Sequence, residues 1–80
     1  MADLDAKLLA AHAAGDAVRL VALYTEAADG REAQNDIDAA CFYLTHAYVF
    51  ALEAGLPEAA RLNERLAAHG RDVVQADLRS

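Results

Sequence analysis

Between Ala39 and Gly55 the chain reads AACFYLTHAYVFALEAG, seventeen residues in which Glu53 is the one formal charge. A chain of 80 residues has room for one hydrophobic core. A segment this apolar therefore belongs at the centre of that core, unless it leaves water altogether. The second course fails on length and on interruption. A membrane span needs about 20 predominantly apolar residues, whereas Asp38, Thr45 and His46 break the run from Ile37 to Leu52, and Glu53 and Gly55-Leu56-Pro57 follow it. No basic residues flank it as anchors. The segment reads as a core helix, and no membrane partner is expected.

Composition narrows the class further. Alanine supplies 21 residues, and alanine has the best helix propensity and lets backbones approach closely. With 4 Gly and 1 Pro, punctuation is too sparse for an all-β domain of many short strands. The formal net charge is −6, with six Arg, one Lys and no basic run. A nucleic-acid backbone or an anionic bilayer surface would be repelled, so the expected partner is a neutral or basic protein or peptide. One cysteine excludes an internal disulfide framework and suits a reducing compartment. The opening MADLDAK carries acid where a secretory leader needs base. The chain is therefore expected to be cytoplasmic.

Helix punctuation divides the chain into two hairpins and a tail. Asp3 can cap a helix with Leu4, Leu8 and Ala11 on one stripe, ended by Gly15. Asp16 restarts the chain into a second helix with Val18, Leu20, Val21, Leu23 and Tyr24 as its apolar face. Gly30 is expected to close it, leaving the polar REAQN as a loop. Asn35 or Asp36 caps the third helix, with Asp38 in its first turn, where the dipole favours negative charge. Gly55 ends that helix. Pro57 and Glu58 open a fourth, which runs to Gly70. In the tail, 72–80, Val74 and Leu78 at i, i+4 suggest a short fifth helix. The expectation is one all-α domain over 1–80, with repeat-like units 3–31 and 36–71.

A shift of forty residues aligns 11–31 with 51–71. Ala11, Ala14, Gly15, Ala27, Ala28, Gly30 and Arg31 meet Ala51, Ala54, Gly55, Ala67, Ala68, Gly70 and Arg71. Small residues recurring at turns and contacts are what stacked helical hairpins require. With Gly15-Asp16 at the turn and Leu20, Tyr24 and Ala27 behind it, the first unit resembles a tetratricopeptide repeat. The endings Ala27-Ala28-x-Gly30 and Ala67-Ala68-x-Gly70, with Leu44 and Tyr48 between them, also resemble the related SEL1-like repeat. The resemblance covers two helix pairs.

On a wheel of about 100° per residue, Ile37, Cys41, Leu44, Tyr48, Ala51 and Leu52 form one apolar stripe of the third helix. Tyr43, Ala47, Phe50 and Ala54 form a second. A helix apolar around most of its circumference is packed from several sides, here by helices one, two and four. Between the stripes lies a strip of Asp38, Phe42, Thr45, Val49 and Glu53, with His46 beside it. The family resemblance implies a concave groove lined by the first helix of each pair. Its candidate residues are Asp5, Leu9 and His12 on the first helix and Phe42, Thr45, His46, Val49 and Glu53 on the third. Such a groove suits an apolar helix or extended segment carrying Lys or Arg. Two other occupants are open: the C-terminal segment itself, and a second copy making a homodimer through the same strip.

Chemistry has little foothold in this sequence. Cys41 and His46 lie about 140° apart around the helix and cannot share a site within it. Cys41 falls on the buried stripe, where a thiol acts as a small hydrophobe. His12, His46 and Glu53 could meet across the groove as a metal or catalytic set, but no tight spacing such as H-x-x-x-H supports them. Tyr24, Tyr43 and Tyr48 read as core aromatics with hydroxyls at an edge. Glu58, Arg61, Glu64 and Arg65 read as a solvated face. No phosphate loop, nucleophile elbow or paired-cysteine motif occurs. The sequence points to a non-catalytic interaction module without cofactor or metal.

Overall fold

The computed structural model describes residues 3–71. The expected fifth helix, in the tail 72–80, lies outside them. Four helices follow one another, α1 (Asp3–Ala14), α2 (Ala17–Ala33), α3 (Ile37–Ala54) and α4 (Glu58–Ala68), and there is no strand among the described residues. The fold class is the expected one, all-α. No helix among these residues is long and apolar enough to cross a membrane.

All four helices end on one device. At Gly15, Asn35, Gly55 and Gly70 the backbone turns left-handed, with φ of 62° to 74°. The next amide reaches back five residues: Asp16 to the Ala11 carbonyl, Asp36 to Arg31, Leu56 to Ala51, and Arg71 to Leu66, at 2.7–3.0 Å. These are Schellman closures, which satisfy carbonyls left free at a helix end. Gly30 is not one of them. α2 runs through it and through Arg31–Ala33, so the expected loop REAQN is mostly helix. Glycine tolerates a helical φ at a cost of about 1 kcal/mol relative to alanine, and Asn35 supplies the left-handed position five residues later. The first unit therefore extends beyond residue 31. Asp16 caps α2, its Oδ1 accepting from the Arg19 amide at 3.1 Å. Asp36 caps α3 in the same way, from the Ala39 amide at 3.3 Å.

The core sits on α2, α3 and α4. Val21, Ala28, Cys41, Leu44, Ala47, Tyr48, Ala51, Ala59, Leu62 and Leu66 form one buried cluster, with Leu44 and Leu66 wholly enclosed. Each of these two leucines contributes about 1.5–3 kcal/mol by leaving water. Ala28, Ala40, Ala47 and Ala51 expose nothing, so neighbouring backbones approach closely around α3. A smaller cluster, Ala11, Leu20 and Leu23 with Leu4 and Leu8 against it, holds α1 onto α2.

Three details of the packing depart from the pattern expected of the sequence. α3 packs chiefly on α2 and α4, while α1 packs on α2 and meets α3 through His12 against Phe50. Leu52, placed on the buried stripe, is half exposed, as is Val18 on α2. Arg65, assigned to a solvated face, turns toward α2. Its Nη2 lies 2.8 Å from Asp29 Oδ1 and 2.8 Å from Glu32 Oε1. Glu32 Oε2 in turn meets His69 Nε2 at 2.8 Å. Within α4, the Asn63 Oδ1 is buried without a hydrogen-bond partner.

Candidate functional site

The exposed side of α3 begins with its helical register. Phe42, Thr45 and Val49 recur at i, i+3 and i+7, which keeps them on one face. Phe42 is 58% exposed and Val49 43%, whereas Cys41 and Leu44 beside them are buried. Two polar side chains of this strip hydrogen-bond within the helix. Thr45 Oγ1 donates to the Cys41 carbonyl at 2.8 Å. His46 Nδ1 lies 2.9 Å from the Phe42 carbonyl. A carbonyl only accepts, so Nδ1 carries the proton, and in the neutral ring Nε2 is left as an acceptor.

Behind the strip stands a continuous set of aromatic rings. Tyr24 of α2 stacks on Phe50 with centroids 5.8 Å apart and planes 12° from parallel, and it lies 5.2 Å from His46. His46 leans on Phe42 at 4.5 Å. Tyr43 joins Tyr24 at 6.3 Å and Phe42 at 5.5 Å. On the α1 side, His12 meets the Phe50 edge at 5.5 Å, and its Nε2 shares a 3.2 Å hydrogen bond with the Tyr24 hydroxyl. Such pairs are worth about 0.5–1.5 kcal/mol each beyond the area they bury. The six rings tie α1, α2 and α3 together under one face.

Two open depressions adjoin on this face and share Thr45 and His46. The first is lined by Asp38, Cys41, Phe42, Thr45, His46 and Arg71. The second is lined by Thr45, His46, Val49 and Phe50 and is almost wholly apolar. Arg71 reaches the first because its Nη2 donates to Asp38 Oδ1 at 2.7 Å. That contact brings the end of the described chain to the start of the strip.

Of the residues singled out from sequence, Phe42, Thr45, His46 and Val49 line the depressions, and His12 joins their aromatic backing. Asp5, Leu9 and Glu53 are exposed but line neither hollow; Leu9 is the most exposed large apolar side chain described, at 71%. The set His12, His46 and Glu53 does not converge. Tyr24 takes both histidine rings, and no group of three or more His, Cys, Asp or Glu side chains among the described residues could hold a metal ion. Sequence reasoning missed Tyr24, Phe50 and Arg71 as parts of the site. The two aromatics were absorbed into a general core. Their signal was the aromatic clustering of Phe42, Tyr43 and Phe50 opposite Tyr24, which a single-helix wheel cannot combine. Arg71 gave no local signal, since its pairing with Asp38 is tertiary.

Glu32 anchors a charged cluster between α2 and α4. The His69 hydrogen bond, followed by the bond and charge of Arg65, holds its carboxyl below the ordinary value of 4.5 against the upward push of burial. This cluster joins α2 to α4 and takes no part in the aromatic face.

Comparison with protein-family models, with curated proteins and with solved structures finds no significant match to this chain.

Proposed function

We propose that the chain is a non-catalytic interaction module that receives a basic, amphipathic peptide segment of another protein on the strip from Phe42 to Val49. The observation that carries this reading is the pair of adjoining apolar hollows, backed by six aromatic rings. Rigid aromatic groups supply contact area with little loss of side-chain entropy, which is why they dominate binding hot spots. Phe42 offers an exposed ring face to a Lys or Arg, an interaction of about 0.5–1 kcal/mol at an open site. His46 Nε2 offers one acceptor to a partner N–H. The net charge of −6 favours approach of a basic segment over an acidic one. The tetratricopeptide-like and SEL1-like arrangement of two hairpins supports the same use of this face. A homodimer through the strip is the competing outcome.

The test is a titration of the isotope-labelled chain with two synthetic amphipathic peptides of matched hydrophobicity, one flanked by Lys and one by Glu. Saturable shifts at Phe42, Thr45, His46 and Val49 with the basic peptide alone are expected, and Phe42→Asp should abolish them. Equal binding of the acidic peptide, or shifts that map elsewhere, would overturn the reading. Light scattering across a concentration series separates the rival, because a dimer lost in Phe42→Asp would assign the strip to self-association.

A further inference from the structure

We infer that Asp38 is the carboxylate that reads a partner's positive charge, and that Arg71 is its competitor within the chain. The Arg71 guanidinium holds Asp38 until a Lys or Arg of the partner takes its place. This inference rests on the peptide-binding reading above and supplies its charge selection and its regulation.

The two hollows differ in charge. Asp38 is the one acid and Arg71 the one permanent cation among the side chains that line them, and both belong to the hollow around Phe42. The neighbouring hollow at Val49 and Phe50 carries neither. The site is therefore asymmetric, with its charge at the end nearer the start of α3. A matching partner places a cation at that end and apolar groups along the rest.

Arg71 is set in position by the backbone. Gly70 turns left-handed, with φ of 74°, and the Arg71 amide donates to the Leu66 carbonyl at 2.7 Å. The side chain thus starts from a fixed point at the end of α4 and crosses to α3. It holds Asp38 through Nη2 on Oδ1 at 2.7 Å. A guanidinium has five N–H donors in a fork, and this single contact is not the two-bond pairing that makes Arg–carboxylate contacts strong. The Asp38 side chain stays 88% exposed, so a second cation can reach it from solvent. Exposed pairs of this kind are weak. A partner cation that takes over the carboxylate also gains the Phe42 ring, and its apolar neighbours gain the second hollow. A lone cation gains only the exchange. Apparent affinity falls by the fraction of molecules in which Arg71 holds the site.

The experiment titrates the isotope-labelled full chain with the Lys-flanked amphipathic peptide and with a counterpart carrying Gln for Lys. The parent, Arg71→Gln, Asp38→Asn and the double variant are compared. Arg71→Gln should bind the Lys-flanked peptide about three- to sixfold tighter than the parent, as an exposed pair formed in most molecules requires. In the Asp38→Asn background the same change should gain less than twofold, which separates competition at Asp38 from the mere loss of a nearby positive charge. The Gln-flanked peptide should bind all four chains alike, which excludes a disturbed fold as the cause. In the parent, saturation with the Lys-flanked peptide should move the Arg71 guanidinium nitrogen signals to the positions they take in Asp38→Asn. Saturable binding that is equal with and without Arg71, or that leaves those signals in place, would overturn the competition and spare peptide recognition. If the Lys-flanked peptide gives no saturable shift in any of the four chains, peptide recognition fails and the competition falls with it.

Discussion

The two hydrophobic clusters are built to different standards. The cluster on α2, α3 and α4 joins ten buried residues around Leu44 and Leu66, and the Asp29–Arg65–Glu32–His69 network fastens α2 to α4 at its edge. The cluster under α1 has three buried residues, two of which belong to α2. α1 adds one more attachment, through His12 to Tyr24 and Phe50. The apparent repeat of two hairpins therefore conceals an unequal partition. The cohesive body is the second to fourth helices, and α1 is a lighter element laid against it. Free energies of opening vary across a structure according to such contacts, so the α1 side of the aromatic face is the side that can yield.

Breaking the larger cluster should have the greatest effect. Leu44→Ala removes a fully enclosed side chain and should cost about 2–5 kcal/mol, against a total of about 4–12 kcal/mol for a chain of this size. Denaturant melts should show the whole fold failing, with every helix lost together. Leu20→Ala tests the smaller cluster at an expected cost of about 2 kcal/mol. Its effect should be local: amide exchange should accelerate throughout α1 while α3 and α4 keep their protection. Equal acceleration in all four helices would erase the distinction between the clusters.

The smallest effect belongs to the charged edge of the larger cluster. Because the folded Glu32 carboxyl is held below 4.5, its contribution is complete above that pH and is lost as acid carries the pH down through the folded value. The expected size is up to about 1 kcal/mol, since the groups are partly exposed. Thermal melts from pH 6 to pH 3 should show a slope that Glu32→Gln reduces. An unchanged slope would remove this network from the account of how α4 is held.

Much of the fold was legible in the sequence, although the unequal weight of the two clusters was not, and what was missed has physical causes. The all-α class, the two hairpins and the central place of α3 follow from alanine content, helix-end residues and the apolar run. Gly30 misled because glycine permits a left-handed turn without requiring one, while Asn35 could take that conformation and did. The exposed strip was readable because Phe42, Thr45 and Val49 share a helical face. Its aromatic backing was not, since Tyr24 meets Phe50 and His46 only after α2 folds onto α3. The charged network was hidden for the same reason: Glu32 and Arg65 are 33 residues apart in the chain, and no local pattern predicts their meeting.

The alanines against α3 also bear on how such a sequence can change over time. Ala28, Ala40, Ala47 and Ala51 expose no surface, and among residues that favour a helix nothing smaller is available to replace them. Substitution there can only enlarge, at a typical cost of about 1–3 kcal/mol, which is a large share of what a chain this short possesses. Phe42, Thr45 and Val49 lie on the outer side of the same helix and are under no such constraint. Drift is thus channelled outward: the spacing of the helices is held fixed while the chemistry of the outer face is free to diversify.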